Sequence, residues 1–172
     1  MTAAEHTFKL REATRADLPQ IVAIYNASIP GRLATGDLEP VTVEAREAWF
    51  AAHNIEKYPL IVAESEAGKI IGWGGLSQFK ARAAYRYTAE ISIYVAPGHA
   101  RQGVASAMTD ELMRRCPKLE IKSLVALIFG HNEPSVRFFS KRGFKLWGHL
   151  PRIAELDGVE RDLVIYGFRF GP

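Results

Sequence analysis

An unbroken apolar run, Ser123–Phe129, constrains the fold of this 172-residue chain more than any other segment. It has the length of a strand but no polar face, which is typical of a strand covered on both sides. Helices must then lie above and below one sheet, because a sheet with one face in water would alternate polar and apolar residues here. The run therefore indicates a layered α/β architecture.

Strand and helix signals along the rest of the chain predict the order β-α-α-β-β-β-α-β-α-β-β. This order favours an α/β (α+β) fold whose mixed, largely antiparallel sheet of about seven strands has helices on both faces and one parallel crossover. No repeat or linker divides the chain, so we expect one domain over residues 1–172. The predicted strands are Phe8–Arg11, Leu60–Glu64, Ile70–Leu76, Tyr85–Val95, Ser123–Phe129, Lys145–Ile153 and Arg161–Phe170. The predicted helices lie between Thr14 and Ser28, after Thr42, over Val104–Arg115 and over Glu133–Arg142.

The charge balance excludes several classes of partner. The chain has 22 basic and 19 acidic residues and a formal net charge of +3. Because the two signs are interspersed, we expect no nucleic-acid partner, which would need a basic face. No apolar run approaches the roughly 20 residues of a membrane span, and residues 1–11 do not resemble a secretory signal. The single cysteine, Cys116, predicts neither a disulfide nor a metal cluster, so a cytoplasmic protein without a metal ion is expected.

Alternation is clearest in the segment Tyr87–Val95. A period of two places Thr88, Glu90, Ser92 and Tyr94 on one face and the apolar residues between them on the other. A half-solvated edge strand explains this pattern, and so does a strand whose polar face lines a cleft. The neighbouring sequence favours the cleft, because an anion site is predicted directly after this strand, and the edge strand stays open as the alternative.

That anion site is the segment Gly98–Ser106, which joins the strand to a helix beginning at Val104. Gly103 and Ala105 are small, so the backbone there can approach a ligand closely. The free N–H groups at a helix N-terminus bind phosphate well. An ordinary glycine-containing loop remains the alternative, because no Gly-x-Gly-x-x-Gly is present.

A polar segment, His131–Ser135, follows the apolar run and ends in Pro134 and Ser135 at the start of the next helix. Asn132 stands directly before that helix, where its local role is that of an N-cap. Gly143 and Phe144 close the helix, and the glycine suits a C-terminal cap.

These three segments, in this order, resemble the GNAT superfamily of acyl-CoA-dependent N-acetyltransferases. The resemblance extends over nearly the whole chain and is strongest from Leu60 to Phe144. Within the superfamily the sequence is most similar to the phosphinothricin and methionine sulfoximine N-acetyltransferases. The residues that carry this narrower resemblance are Ile24–Asn26, Tyr58–Pro59, Val62–Glu64, Tyr87–Val95 and Arg161–Asp162.

The resemblance implies that acetyl-CoA binds in a cleft where two central strands move apart. Its pantetheine arm would pair with the backbone of Ile93, Tyr94 and Val95 like an additional strand. Asn132 and Ser135 would contact the cofactor nearby. Its pyrophosphate would bind the N–H groups of Arg101, Gln102, Gly103, Val104, Ala105 and Ser106.

The resemblance also implies direct attack by a small-molecule amine with Glu90 as general base, acting on the amine itself or through a water. The backbone N–H of Val95 would stabilise the oxyanion. An amino-acid-like acceptor would contact Glu90 and the segment before it, namely Phe79, Lys80, Ala83, Ala84 and Tyr85. An exposed hairpin end is the alternative interpretation of Phe79 and Lys80.

Two residues depart from the family pattern. Ala100 stands where many relatives have Gln or Arg, which removes one side-chain contact to the cofactor. Phe139 stands where many relatives have Tyr, or His in the most similar subgroup. Phenylalanine cannot protonate the departing thiolate, so water, the proton of the amine or Tyr94 must do so.

Two alternatives therefore stay open. The acceptor is an amino-acid-like molecule or another amine, such as a polyamine, an aminoglycoside-like antibiotic or a protein N-terminus. A non-catalytic acyl-CoA-binding sensor is the second alternative, favoured by Ala100 and Phe139 and opposed by Glu90. Relatives in this subgroup are commonly dimers, so the resemblance implies a homodimer.

Overall fold

A computed structural model describes residues 7–172. Its seven strands form one sheet in the order β1-β2-β3-β4-β5-β7-β6. β4 and β5 run parallel, and the other neighbouring pairs of this sheet are antiparallel. The strands are β1 Phe8–Glu12, β2 Leu60–Ser65, β3 Ile70–Gln78, β4 Thr88–Val95, β5 Ser123–Phe129, β6 Lys145–Leu156 and β7 Val159–Arg169. The helices are α1 Leu18–Ser28, α2 Glu47–Ala51, α3 Val104–Arg115 and α4 Glu133–Lys141.

The predicted fold class and element order are confirmed, with one local error. Tyr85–Tyr87 were expected to extend the central strand, but Ala83–Tyr85 form a 3-10 turn and β4 begins only at Thr88. In this turn the N–H of Tyr85 donates to Arg82 O and the N–H of Arg86 donates to Ala83 O. Hydrogen bonds within the turn therefore replace the strand-to-strand hydrogen bonds that were expected for these residues. β6 and the start of β7 also extend beyond the predicted bounds, toward their shared turn.

Two apolar cores cover the two faces of the sheet. One core packs α3 and the end of α4 against β3, β4 and β5. The other packs α1, together with Trp49 and Phe50 of α2, against β2 and β3. The helix α3 lies very close to the sheet, because a side chain on Gly72 would come within 2.8 Å of Val104. The glycine in β3 thus sets how closely the start of α3 approaches the centre of the sheet.

The entry into α1 is fixed by a buried ion pair. Asp17 is 6% exposed, and its carboxylate accepts hydrogen bonds from Arg11 Nη1 at 2.7 Å and from the N–H of Thr14 at 2.7 Å. The hydrogen bond from Arg11 lowers the pKa of Asp17. The capping pair of Thr14 and Asp17 therefore connects the start of the first helix to β1.

Two features of residues 7–172 bear on membranes and metal ions. Within this range there is no helix with both the length and the apolar character needed to cross a membrane. The same residues bring together no group of three or more His, Cys, Asp or Glu side chains in an arrangement that suits a metal ion.

Candidate active site

The candidate site begins where β4 and β5 separate. The two strands pair at Thr88 with Ser123, Ala89 with Leu124 and Glu90 with Val125, and not beyond. β4 continues for five residues to Val95, and β5 for four residues to Phe129. A gap therefore opens between the two central strands of the sheet, and Glu90 stands at its base.

The backbone of β4 leaves hydrogen-bonding groups facing this gap. The N–H of Ala96 donates to Ile71 O of β3 at 2.8 Å. Successive residues of a strand direct their N–H and C=O groups to opposite sides. Ile93 and Val95 therefore direct their backbone groups away from β3, toward β5, which does not pair with them. An extended ligand would find free donors and acceptors along this edge.

The gap forms a cavity of about 280 Å³. β4 contributes Glu90 to Tyr94, and β5 contributes Ala126 to Phe129. Asn132, Ser135 and Phe139 line the cavity from α4 and the residue before it. The remaining wall is formed by Leu33–Gly36, which lie between the first two predicted helices, and by Leu163 of β7.

Glu90 is half-buried in this wall, on the polar face that alternation predicted. Burial raises its pKa, and the positive charge of Lys80 opposes part of that rise. Ala89 and Ile91, on the opposite face, belong to the core under α3. A carboxylate with a raised pKa at the base of a cleft is a chemically suitable general base.

The predicted anion site lies at the start of α3. Gly103 is its N-cap, with a left-handed φ of 81°, and Arg101 also has a positive φ of 61°. The first hydrogen bond of the helix runs from the N–H of Ala107 to Gly103 O, so the N–H groups of the preceding turn are free of helical bonds. Val104 is 1% exposed and packs in the core, so it can offer a ligand only its backbone. Ala105 and Ser106 are half-buried, and Arg101 and Gln102 are exposed.

Asn132 confirms its predicted N-cap role and also lines the cavity. Its Oδ1 accepts from the N–H of Ser135 at 3.3 Å, and its Nδ2 donates to Leu33 O at 3.1 Å. The preceding His131 contacts Arg32 O through Nε2 at 2.8 Å. The start of α4 therefore positions the 32–36 segment, and the same residue that caps the helix connects two walls of the cleft.

Tyr94 connects the 32–36 segment to β4. Its hydroxyl donates to Ala34 O at 3.0 Å, and burial raises its pKa. Phe139 is 7% exposed and packs against Phe144 with ring centroids 5.0 Å apart. Phe139 thus supplies an apolar surface to the cleft and no proton.

Of the predicted acceptor residues, Glu90 lines the cavity and the five residues of the preceding segment do not. Lys80, Ala83, Ala84 and Tyr85 are exposed, and Phe79 is half-buried. The rings of Phe79 and Tyr85 are 6.0 Å apart, and Lys80 Nζ lies 5.5 Å from the Phe79 ring. Ser77 of β3 pairs with Glu90, and Phe79 and Lys80 directly follow the end of β3, so this group lies near the base of the cleft. The positive charge of Lys80 lowers the pKa of Glu90.

The comparisons with known proteins agree with this geometry. Residues 19–144 match the model of the Acetyltransferase (GNAT) family. The Bacillus subtilis (strain 168) protein YwnH, named as a candidate phosphinothricin acetyltransferase, is 48% identical over 158 residues, covering 92% of this chain and 96% of YwnH. An L-methionine sulfoximine/L-methionine sulfone acetyltransferase of Pseudomonas paraeruginosa is 29% identical over 163 residues and covers 95% of both chains.

A solved structure shows the same fold with a bound donor. The Sinorhizobium meliloti phosphinothricin acetyltransferase, in complex with acetyl-CoA, has a TM-score of 0.90 and 32% sequence identity. The match covers 96% of this chain and 89% of that one. The family model also covers most of this chain, including β4, α3, β5 and α4. The chain therefore belongs to the acetyltransferase (GNAT) family and is an acetyl-CoA-dependent N-acetyltransferase.

Proposed function

We propose that this enzyme acetylates the primary amine of a small amino-acid-like molecule of the phosphinothricin or methionine sulfoximine type. The observation that carries the proposal is the half-buried Glu90 carboxylate at the base of the gap between β4 and β5. The names of the relatives supply the substrate class.

The position of Glu90 and the direction of its pKa shift support a role as the general base. An amine attacks a thioester only when its nitrogen lone pair is free, so the ammonium form must first lose a proton. Burial raises the pKa of Glu90, which makes its carboxylate a stronger proton acceptor. The proton moves to the Glu90 carboxylate, either directly or through one water.

The donor side is proposed to use the main chain. The backbone groups of Ile93 and Val95 that face the gap would pair with the pantetheine, next to Tyr94. The N–H of Val95 would donate to the thioester oxygen as that oxygen gains negative charge. The N–H groups of residues 101–106 would hold the pyrophosphate, and Asn132 and Ser135 would contact the pantetheine from α4.

The acceptor side is proposed to use the group beside Glu90. Lys80 has no ion pair among residues 7–172, so its ammonium can bind the substrate carboxylate. Phe79 and Tyr85 form an aromatic corner next to it, and Ala83 and Ala84 leave room for the substrate chain. This arrangement supports an α-amino acid rather than a polyamine, which has no carboxylate for Lys80.

A thiol-release assay tests the proposed function. Acetyl-CoA is combined with phosphinothricin, methionine sulfone, methionine sulfoximine, spermidine, an aminoglycoside and a peptide with a free N-terminus. The proposal predicts turnover with the amino acids and little with the others. Preference for a polyamine, an aminoglycoside or a peptide would contradict it. CoA binding without turnover on any amine would instead support a sensor.

We also propose that the enzyme is a cytoplasmic homodimer and that residues 1–172 form one acetyltransferase domain. Support for the dimer comes from β6, which is the last strand in the sheet order and exposes Leu146, Trp147 and Ile153. A partner seated on this strand would bury those side chains. Light scattering checks the dimer: a mass of twice the 19.1 kDa chain supports it, and a monomeric mass contradicts it.

A further inference from the structure

Ser92 lies on β4 between the Glu90 carboxylate and the N–H of Val95. The alternation of the strand places its side chain on the same face as Glu90, and both residues line the cavity. Ser92 is half-buried, and its hydroxyl forms no hydrogen bond with any other group of residues 7–172. This hydroxyl is therefore free to bond to a substrate or to a water in the cleft.

The neighbours of Ser92 in the sheet leave its hydroxyl facing the cavity. On β3 the paired residue is Gly75, which has no side chain. The space above this glycine is occupied, because a Cβ there would meet Leu60 at 3.0 Å and His53 at 3.2 Å. On the opposite side of β4, pairing with β5 ends at Glu90. Ser92 thus has a closed side toward β3 and an open side toward the gap.

Glu90 and Val95 are too far apart for the base to reach the reacting nitrogen directly. They are five residues apart on an extended strand, which is about 16 Å between their Cα atoms. In the proposed donor arrangement the thioester oxygen lies at the N–H of Val95, and the amine nitrogen must lie next to the thioester carbon. The Glu90 side chain covers only part of the separation that remains. A proton carrier is therefore needed between the nitrogen and the carboxylate.

Two hydroxyls on the cavity face of β4 lie between these positions, those of Ser92 and Tyr94. The Tyr94 hydroxyl donates to Ala34 O at 3.0 Å, and burial raises its pKa, so its proton is held in a structural bond. The Ser92 hydroxyl has no such bond within the described part of the chain. Its Cα is about 7 Å from that of Glu90, a separation at which one water can bridge a hydroxyl and a carboxylate.

We propose that Ser92 is a catalytic residue that relays a proton from the acceptor amine to Glu90. The Ser92 oxygen accepts a proton from the ammonium as its own proton passes through one water to the Glu90 carboxylate. Ser92 ends with one proton, as it began, while the ammonium becomes an amine and the carboxylate a carboxylic acid. The freed lone pair forms the C–N bond, the C–S bond breaks, and the remaining excess proton of the nitrogen passes through water to the CoA thiolate. This inference rests on the proposed function, because it takes Glu90 as the general base.

A matched pair of variants at position 92 tests this assignment. Ser92→Thr and Ser92→Val introduce β-branched side chains of similar shape, and only threonine carries a hydroxyl. With phosphinothricin or methionine sulfone as acceptor, kcat of Ser92→Val should fall about 10- to 100-fold, whereas that of Ser92→Thr should stay within about threefold of the wild type. The KM for acetyl-CoA should stay constant in both. Equal kcat values for the two variants would overturn the assignment.

The Glu90→Gln background separates a relay from a structural role. A relay acts only through the carboxylate, so Ser92→Val should lower kcat by less than about threefold when Glu90 is already Gln. A loss of full size in that background would show that Ser92 supports the strand and not the proton path. The control is Thr88→Val, which removes a hydroxyl on the same face of β4 but outside the cavity lining, and it should leave kcat unchanged.

Failure of the relay and failure of the proposed function give different results. Wild-type enzyme that acetylates neither amino acid would contradict the proposed acceptor class and the inference with it. A wild-type kcat in Glu90→Gln would exclude the base, and therefore the relay that ends on it. A large effect of Glu90→Gln together with equal kcat values for Ser92→Thr and Ser92→Val would overturn the relay alone.

Discussion

The donor side and the acceptor side of the cleft are built from different parts of the polypeptide. The proposed donor side uses main-chain groups, those of β4 that face the gap and those of the first turn of α3. The proposed acceptor side uses side chains, Glu90 at the base of the gap and Lys80 near it. Main-chain groups suit a donor that never changes, whereas side chains allow acceptor specificity to vary on the same scaffold.

The largest effect is expected from the side chain of Glu90. Glu90→Gln keeps the shape of the residue but removes the proton acceptor, so kcat should fall by about 10²- to 10⁴-fold. The KM for acetyl-CoA should stay unchanged, because the donor side does not use this carboxylate. Stopped-time product assays at saturating acetyl-CoA measure the change. A wild-type kcat in this variant would show that Glu90 is not the general base.

A smaller effect is expected from the backbone of the donor side. Gly103→Ala places a side chain at a φ of 81°, which costs about 1 kcal/mol and shifts the N–H groups at the start of α3. We expect the KM for acetyl-CoA to rise about 10-fold with little change in the KM of the acceptor. Gly68→Ala is a matched control, because Gly68 also has a positive φ of 76° but lies in the β2–β3 turn. Equal kinetics for the two variants would contradict the binding of acetyl-CoA by main-chain N–H groups at the start of α3.

Lys80 offers a test of the electrostatics at the acceptor side. Its charge lowers the pKa of Glu90, so Lys80→Met should raise that pKa. Because the base must be ionised, activity is lost as pH falls through the Glu90 pKa, and the acid limb of kcat/KM should move to higher pH. The move should be less than about one pH unit, since Lys80 is exposed to solvent. Lys69→Met, in the β2–β3 turn, is the control and should not shift the acid limb of kcat/KM. A shift of that limb to lower pH in Lys80→Met would contradict the effect of the Lys80 charge on the pKa of Glu90.

The smallest effect is expected from a charged side chain on the donor side. Arg101 is exposed and forms no ion pair with the rest of residues 7–172. If main-chain groups hold the pyrophosphate, Arg101→Gln should raise the KM for acetyl-CoA by only about two- to fivefold, with less difference at high salt. A loss as large as that expected for Gly103→Ala would show that a side chain carries the binding.

The sequence predicted the features that depend on local patterns and missed those that depend on contacts between distant residues. Alternation in β4 placed Glu90 on the correct face, and the glycine before Val104 marked the start of α3, because both signals are local. The gap between β4 and β5 was predicted only through the family resemblance, since no local pattern shows where two strands stop pairing. The error at Tyr85–Tyr87 arose because strand-forming residues there are held by turn hydrogen bonds.

The acceptor side was predicted less completely. Leu33–Gly36 line the cavity but lie between two predicted helices, where no pattern in the sequence indicates a site. Their positions depend on contacts with residues far along the chain, such as the bonds from Tyr94 and Asn132 to the carbonyls of Ala34 and Leu33. Only the tertiary structure shows these contacts.

The proposed arrangement of donor and acceptor sides predicts that both substrates bind at the same time and that acetyl passes directly between them. The chain has no thiol suited to carry it: Cys116 is buried, burial raises its pKa to about 12, and its Sγ donates to Leu112 O. Initial velocities measured over a grid of acetyl-CoA and acceptor concentrations test this most directly. The account predicts intersecting double-reciprocal lines, as for a complex of both substrates. Parallel lines, with acetyl retained on the enzyme in the absence of acceptor, would contradict it.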